Sequence, residues 1–195
     1  MLDTKEIIGI IAVALTFVGY IPYFIDVVAG KTKPHLFSWL VWCVTTAIIC
    51  ALQISAGAGP GAWVTVSLTL VFVVMFGLSF KYGHKDIRRI DVVFLILALC
   101  ALPLWLVVHQ PVLSIILLST IDMLGFAPTI RKSWNNPYTE TLAMYGISTF
   151  RHGIVLLALS SWSIVTYLFP LTWVIANGGF AILLIARRRI ISNQK

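Results

Sequence analysis

Ile121-Asp122-Met123-Leu124-Gly125-Phe126-Ala127-Pro128 lies in the middle of an apolar run long enough to cross a bilayer. A carboxylate at that depth costs about 2.5–3.5 kcal/mol on insertion scales. A proline there removes a backbone donor and crowds the carbonyl of Leu124 one turn earlier. Both features are expensive in hydrocarbon, so each demands a reason. The Gly-aromatic-x-Pro part also occurs as Gly19-Tyr20-Ile21-Pro22, and Gly19 to Gly125 is an offset of 106 residues.

The surrounding chain is equally apolar. Of its 195 residues 59% are hydrophobic and 11% charged, with a mean hydropathy of +0.97. A soluble domain carries roughly 25% charged residues. The composition therefore predicts an all-α, multi-pass membrane protein whose first partner is the lipid bilayer. The net charge of +7 is spread over short loops rather than gathered in one patch, so nucleic acid is not an expected partner. Cys43, Cys50 and Cys100 all fall inside apolar segments. Their spacing fits neither a disulfide framework nor a zinc site. Asp3, Lys5 and Glu6 precede the first apolar run, which is too long for a signal-peptide core and reads as a retained helix.

About 20 apolar residues span the hydrocarbon core. By that rule seven segments are expected: Ile7–Val28, His35–Ala56, Ala62–Phe80, Ile90–His109, Pro111–Ile130, Leu142–Trp162 and Ile164–Ala186. Lys31, Lys33, Lys81, Lys85, Arg88, Arg89, Arg131, Lys132, Arg187, Arg188, Arg189 and Lys195 all fall on one side of such an arrangement. The opposite loops, at Gly57–Gly61, His109–Pro111 and Ser160–Ser163, carry none. By the positive-inside rule the expected location is the cell membrane, with the N-terminus outside and the C-terminus cytoplasmic.

The 106-residue offset superposes Pro22 on Pro128, Leu36 on Leu142 and Lys81 on Arg187, besides the glycines and aromatics. Segments one to three thus fall on segments five to seven, both copies entering from the same side. The expected organisation is a first three-helix repeat over residues 1–83, a linker helix over 84–110, and a second, parallel repeat with a short basic tail over 111–195. Three crossings reverse the chain, so a parallel repeat needs the inverting fourth helix.

With these features the chain resembles the PQ-loop and SWEET transporter superfamily. The resemblance covers nearly the whole length: a three-plus-one-plus-three arrangement with Gly-aromatic-x-Pro late in the first helix of each repeat. The family's usual Gln after the proline is replaced by Tyr23 and Thr129, which makes this a divergent member. The resemblance implies alternating access between two three-helix bundles, with an Asn of the third helix presented to the solute. Asn177 occupies that place in the second repeat, and Val71 is its counterpart in the first. Similar folds serve nicotinamide-riboside and related vitamin transporters, and the KDEL receptor, which reads a peptide end.

The residues that carry chemistry are few. Asp122 sits about eleven residues into its helix, roughly 16 Å deep, and Arg151 about nine residues into the next. Intramembrane charges face the bundle interior and pair. The two are therefore expected to pair, either as part of a polar-solute or proton-coupling site or as a structural ion pair. His152 adjoins Arg151, and Ser148 shares their helix face. Asn177-Gly178-Gly179 offers an amide beside two residues that let a ligand or another helix approach closely. Trp173, one turn before, can stack on a solute ring or fill a core. Asp122, Arg151, His152, Ser148, Asn177 and Trp173 are thus the candidate substrate-binding residues. Gly19, Pro22, Gly125 and Pro128 are candidate hinges, or else static kinks.

The expected function is transport of a small polar solute, such as a sugar or an amino acid, by alternating access. The solute is the second expected partner; protons and a second copy of the chain complete the set. A receptor of the same fold and a vitamin or nucleoside transporter are the alternatives. A retinal protein would need a lysine within the last helix, and none precedes Arg187. No clustered nucleophile and base, metal-ligand spacing or phosphate loop is present, so neither an enzyme nor a metal or other cofactor is expected.

Overall fold

Asp3 opens the first helix. Its carboxylate accepts from the Glu6 amide at 2.8 Å, and the Glu6 carboxylate accepts from the Asp3 amide at 2.8 Å. This reciprocal cap starts the helix three residues before the apolar run. The computed structural model describes residues 2–30, 34, 36–83, 89–135, 137–140 and 142–192, without the side chains at 91, 127–129, 131, 132, 135 and 139. Among the described residues there are seven α-helices: α1 (Thr4–Val28), α2 (Leu36–Ser55), α3 (Trp63–Tyr82), α4 (Arg89–Leu106), α5 (Pro111–Asn135), α6 (Leu142–Ala158) and α7 (Ile164–Ser192). Short 3-10 turns at Gly59–Ala62 and Pro137–Thr139 precede α3 and α6.

Four stretches are long and apolar enough to cross a membrane: Thr4–Val28, Leu36–Ser55, Gly59–Tyr82 and Ile164–Ser192. Shorter apolar stretches run through Val92–Leu106, Pro111–Phe126 and Leu142–Ala158. These segments are rich in β-branched residues yet helical. A helix satisfies its own backbone, which hydrocarbon requires. Burial is inverted relative to a soluble protein. Ile7, Ile10, Ile11, Phe17, Val18, Ile21 and Ile25 lie exposed along one face of α1, while Gly9, Ala12 and Thr16 are buried. Thr45, Thr46, Gln53, Asp122, Arg151, His152 and Asn177 are likewise inside. Large apolar side chains outside and polar ones inside is the distribution that a lipid surround favours.

Several helix ends differ from the sequence expectation, for local reasons. Helix α4 stops at Leu106 rather than His109. The amides of Val107 and Val108 both turn back to the Pro103 carbonyl, and His109 takes a left-handed φ of 55°. Helix α6 stops at Ala158 rather than Trp162, because the Ser160 amide bonds the Ala58 carbonyl at 2.9 Å. Thr166 Oγ1 then accepts from the Ser163 amide at the start of α7. Helices α5 and α7 run on past their apolar parts to Asn135 and Ser192.

The packing order is not the chain order. Helix α3 packs against both α1 and α2, and α7 packs against both α5 and α6. Helix α1 lies along α6, and α2 touches α5 and α7. Helix α4 packs on α2 and α5. The largest apolar cluster joins α2, α4, α5 and α7 through Ile48, Ile49, Leu52, Ala98, Ile115, Leu118, Ile121 and Phe169.

The two ends of the bundle are held differently. At one end the segment 57–62 straps across the α6–α7 connection. Besides the Ser160–Ala58 backbone bond, Gln53 Nε2 donates to the Thr166 carbonyl at 3.1 Å. Ala58, Ala62 and Leu159 form a small buried cluster there. A Cβ on Gly9 of α1 would lie 2.9 Å from the Trp63 ring and 3.1 Å from the Pro60 carbonyl, so α1 also closes onto this strap.

At the other end Arg188 fastens α7 to the turn before α6. Its guanidinium donates to the Pro137 carbonyl at 3.0 and 3.1 Å and to the Glu140 carbonyl at 2.6 Å. Arg187 does the same for the end of α5, donating to the Trp134 carbonyl at 2.7 Å. Arg188→Ala is expected to cost about 1.5–3 kcal/mol, the worth of a hydrogen bond to a charged group. It should speed amide exchange at residues 138–140 in detergent. Unchanged exchange there would mean that other contacts hold the turn.

Candidate functional site

A cavity of about 430 Å³ lies between the helices, on the side of the bundle away from the strap. Its position follows from the helix registers. On α7 the lining begins at Phe169, one turn beyond the strap residue Thr166, and continues through Trp173 to Asn177. On α1 it begins at Tyr20, eleven residues beyond Gly9, and continues through Tyr23 to Asp26. On α2 it covers Thr46, Trp42 and Trp39, on α3 Leu68 and Phe72, and on α5 Asp122 and Phe126. On α6 it covers His152, Arg151, Ser148, Tyr145 and Met144, and it ends at Glu140.

All six residues singled out from the sequence as substrate-binding line this one cavity: Asp122, Ser148, Arg151, His152, Trp173 and Asn177. The expected pairing within them is not formed. Arg151 Nη2 meets His152 Nε2 at 2.9 Å, and its guanidinium lies 6.0 Å from the centre of the Tyr20 ring. Asp122 has the Thr45 side chain as its polar neighbour, whose hydroxyl donates to the Trp42 carbonyl at 3.1 Å. No ion pair joins Asp122 to Arg151 among the described residues. The cause is the packing order: α5 and α6 are consecutive in the chain, but each is packed on α7, which separates them. His152 accordingly has a guanidinium rather than a carboxylate for a neighbour.

Both charges are nearly withdrawn from solvent, Asp122 at 2% exposure and Arg151 at 3%. Each keeps a buried atom without a hydrogen-bond partner, Asp122 Oδ1 and Arg151 Nε. Buried polar groups in native proteins are almost always satisfied, so two such orphans in one cavity call for an explanation. The walls between them are aromatic. The His152 and Trp173 rings stack at 6.4 Å and 21°, and Phe126 and Phe169 meet Trp173 edge-on at 5.8 and 6.4 Å. On the opposite wall Trp39 meets Trp42 and Phe72 edge-on at 5.4 and 5.3 Å.

Asn177 donates one side-chain N–H to the Trp173 carbonyl at 2.8 Å, which leaves its oxygen and its second N–H to offer a solute. The adjacent glycines do not line the cavity. Gly178 packs on α6, where a Cβ would touch Thr149 at 3.4 Å, and Gly179 faces open space. Of the candidate hinges, Gly19 and Pro22 lie within an unbroken α1, with Pro22 on its outer face. Gly125 faces Trp42, whose indole nitrogen would lie 3.5 Å from an added Cβ. The Pro128 side chain lies outside the described residues.

Of the aromatic walls, the sequence singled out Trp173, and Tyr20 and Phe126 only as the aromatics of Gly-aromatic-x-Pro. Trp39, Trp42 and Phe72 were not distinguished, because aromatic rings belong in apolar helices anyway. Asp26 and Glu140 fall where a membrane interface ordinarily solvates charge, but they line the cavity at its end away from the strap. The usable signal was spacing, since Tyr20, Tyr23 and Asp26 recur every three residues along one helix face. Tyr145 joins the set through its hydroxyl, which donates to Glu140 Oε2 at 2.7 Å.

The fold and site thus define an all-helical protein with membrane-length apolar helices around a polar, aromatic-walled cavity. No family model, curated protein or solved structure matches the chain.

Proposed function

We propose that this chain is a membrane transporter for a small polar solute, working by alternating access between two parallel three-helix repeats. The observation that carries the reading is the cavity itself. It holds two unpaired charges, and it is closed by a backbone-bonded strap at one end and bounded by Asp26 and Glu140 toward the other. A purely structural interior has no use for such a void, because orphaned charges there only cost stability.

The helix neighbours support the repeat. Exchanging the repeats, by adding 106 residues to α1, α2 and α3 and subtracting 106 from α5, α6 and α7, maps each set of helices on the other. The contacts α1–α3, α2–α3 and α1–α6 then become α5–α7, α6–α7 and α5–α2, all of which occur. On this reading all seven helices cross the membrane, α4 is the inverting linker, and the loop charges put the strap outside and the Asp26–Glu140 end toward the cytoplasm. The conformation is then the inward-facing one. Pro22 and Pro128, at matched places, would take up the bending as the bundles rock, and protonation of Asp122 is the natural route for any proton coupling.

Purified protein in proteoliposomes, tested against a labelled panel of sugars, amino acids and nucleosides at two pH values, addresses this directly. At least one solute should accumulate, and Asp122→Asn should reduce its initial rate at least tenfold. Binding of a solute with no flux would favour a receptor of the same fold. Flux indifferent to Asp122→Asn would remove that carboxylate from the mechanism.

A further inference from the structure

We infer that the solute is a zwitterion carrying a planar ring, such as an aromatic amino acid. This rests on the transport reading above and narrows its substrate. A neutral sugar needs many hydrogen-bonding side chains, and it has no use for two opposite charges held apart. Of the three carboxylates that line the cavity, Asp122 alone is more than nine-tenths buried, as is the guanidinium of Arg151, and each of these two keeps an unsatisfied atom. They are not joined to each other. A solute with an ammonium at one place and a carboxylate at another satisfies both at once.

The two side chains divide the solute between them. The solute ammonium meets the Asp122 carboxylate and the solute carboxylate meets the Arg151 guanidinium, both of which line the cavity, while Nη2 of Arg151 stays with His152. A carboxylate on a guanidinium edge makes a strong charge-assisted contact. Thr45 lies beside Asp122, and the Tyr20 ring lies 6.0 Å from the Arg151 guanidinium. Neither neutralises the charge beside it.

The ring has its own place. Trp173 and His152 present a stacked pair, with Phe126 and Phe169 edge-on beside Trp173. Aromatic rings favour offset-stacked and edge-to-face neighbours, worth more than their area alone. The cavity of about 430 Å³ is within the range of sites for small organic ligands and takes a single-ring or double-ring amino acid. A bare cation would leave Arg151 unanswered, and a bare anion would leave Asp122 unanswered. Unpaired buried groups are what make a site reject the analogue that lacks one polar function.

The test is a binding series on purified full-length protein in detergent. The ligands are L-phenylalanine, L-tyrosine and L-tryptophan, each beside its analogue lacking the carboxylate and its analogue lacking the amine, with D-glucose as a neutral comparison. At least one of the three amino acids should bind. Each of its single-charge analogues should bind at least tenfold more weakly, and glucose should not bind. Asp122→Asn should erase the difference between the amino acid and the analogue lacking the amine, leaving the other difference intact. Arg151→Gln should do the reverse. A merely structural role for either residue would weaken all ligands together. Should either variant fail to fold, the analogue series on the unaltered protein still decides. Failure of all three amino acids, or equal binding of a single-charge analogue, overturns the proposal. If glucose or a nucleoside is carried while the amino acids are inert, the transport reading stands and this one falls.

Discussion

Replacing Arg151 with Met is expected to raise the thermal midpoint of the protein and at the same time weaken solute binding at least tenfold. The two effects have one cause. Arg151 is 3% exposed, its Nε has no partner, and no carboxylate pairs with it among the described residues. Withdrawing a guanidinium from water costs several kcal/mol, and apolar replacement of buried ionic groups is often stabilising by about 1–4 kcal/mol. Met has similar length and fills irregular gaps. Against this, His152 Nε2 loses a neighbour at 2.9 Å, which costs about 1–3 kcal/mol. The desolvation of several kcal/mol that the unpaired guanidinium no longer bears exceeds this loss, so the midpoint should rise by a few degrees in a detergent melt. Solute protection of the folded state, seen as a further rise on adding ligand, should shrink accordingly. A lowered midpoint would identify Arg151 as a strut of the fold and weaken its assignment to the site.

The second large effect is expected at the strap. Gly59→Ala should open the closed end. Gly59 has a φ of +60°, where a side chain costs about 1–2 kcal/mol. An added Cβ would overlap Ser160 Oγ and sit 2.8 Å from Ser160 Cβ. Ser160 is the residue whose amide bonds Ala58 across the seal. A penalty of 1–2 kcal/mol on the closed arrangement is a factor of roughly 5–30 in population. A cysteine at Phe169, the cavity residue nearest the strap, should therefore react roughly 5–30 times faster with an impermeant thiol reagent applied from the strap side. Reaction from the opposite side should not change. The native cysteines do not line the cavity, so the background is low. Unaltered labelling from the strap side would show that the seal does not depend on this close approach.

The sequence made the membrane character legible because hydrocarbon leaves so few options. The seven helices fall where the apolar runs fall, with ends displaced by specific bonds such as Ser160 to Ala58 and Val107 to Pro103. Polar residues inside such runs must face inward, and that single rule brings Asp122, Ser148, Arg151, His152 and Asn177 to one cavity. The rule says nothing about which helices are neighbours. Pairing Asp122 with Arg151 assumed that consecutive helices touch, whereas α7 stands between α5 and α6. The neighbour that Asp122 does find, Thr45, is the residue that lies 106 positions before Arg151. Trp39, Trp42 and Phe72 were illegible for a different reason. An aromatic ring facing lipid, core or cavity leaves the same mark in the sequence, and only the packing separates the three.

Helix α1 has one more consequence. Its apolar run, Ile7–Val28, spans about 33 Å, a few ångströms more than a hydrocarbon layer of about 30 Å. It also presents a long unpartnered apolar face, Ile7 to Ile25. Such a helix relieves the mismatch by leaning over, and it leans less as the membrane thickens. Tyr20, Tyr23 and Asp26 are carried on it, so the width of the cavity mouth becomes a function of acyl-chain length. If the proposed transport holds, bilayer thickness is then a variable its rate should follow, with no lipid entering the site.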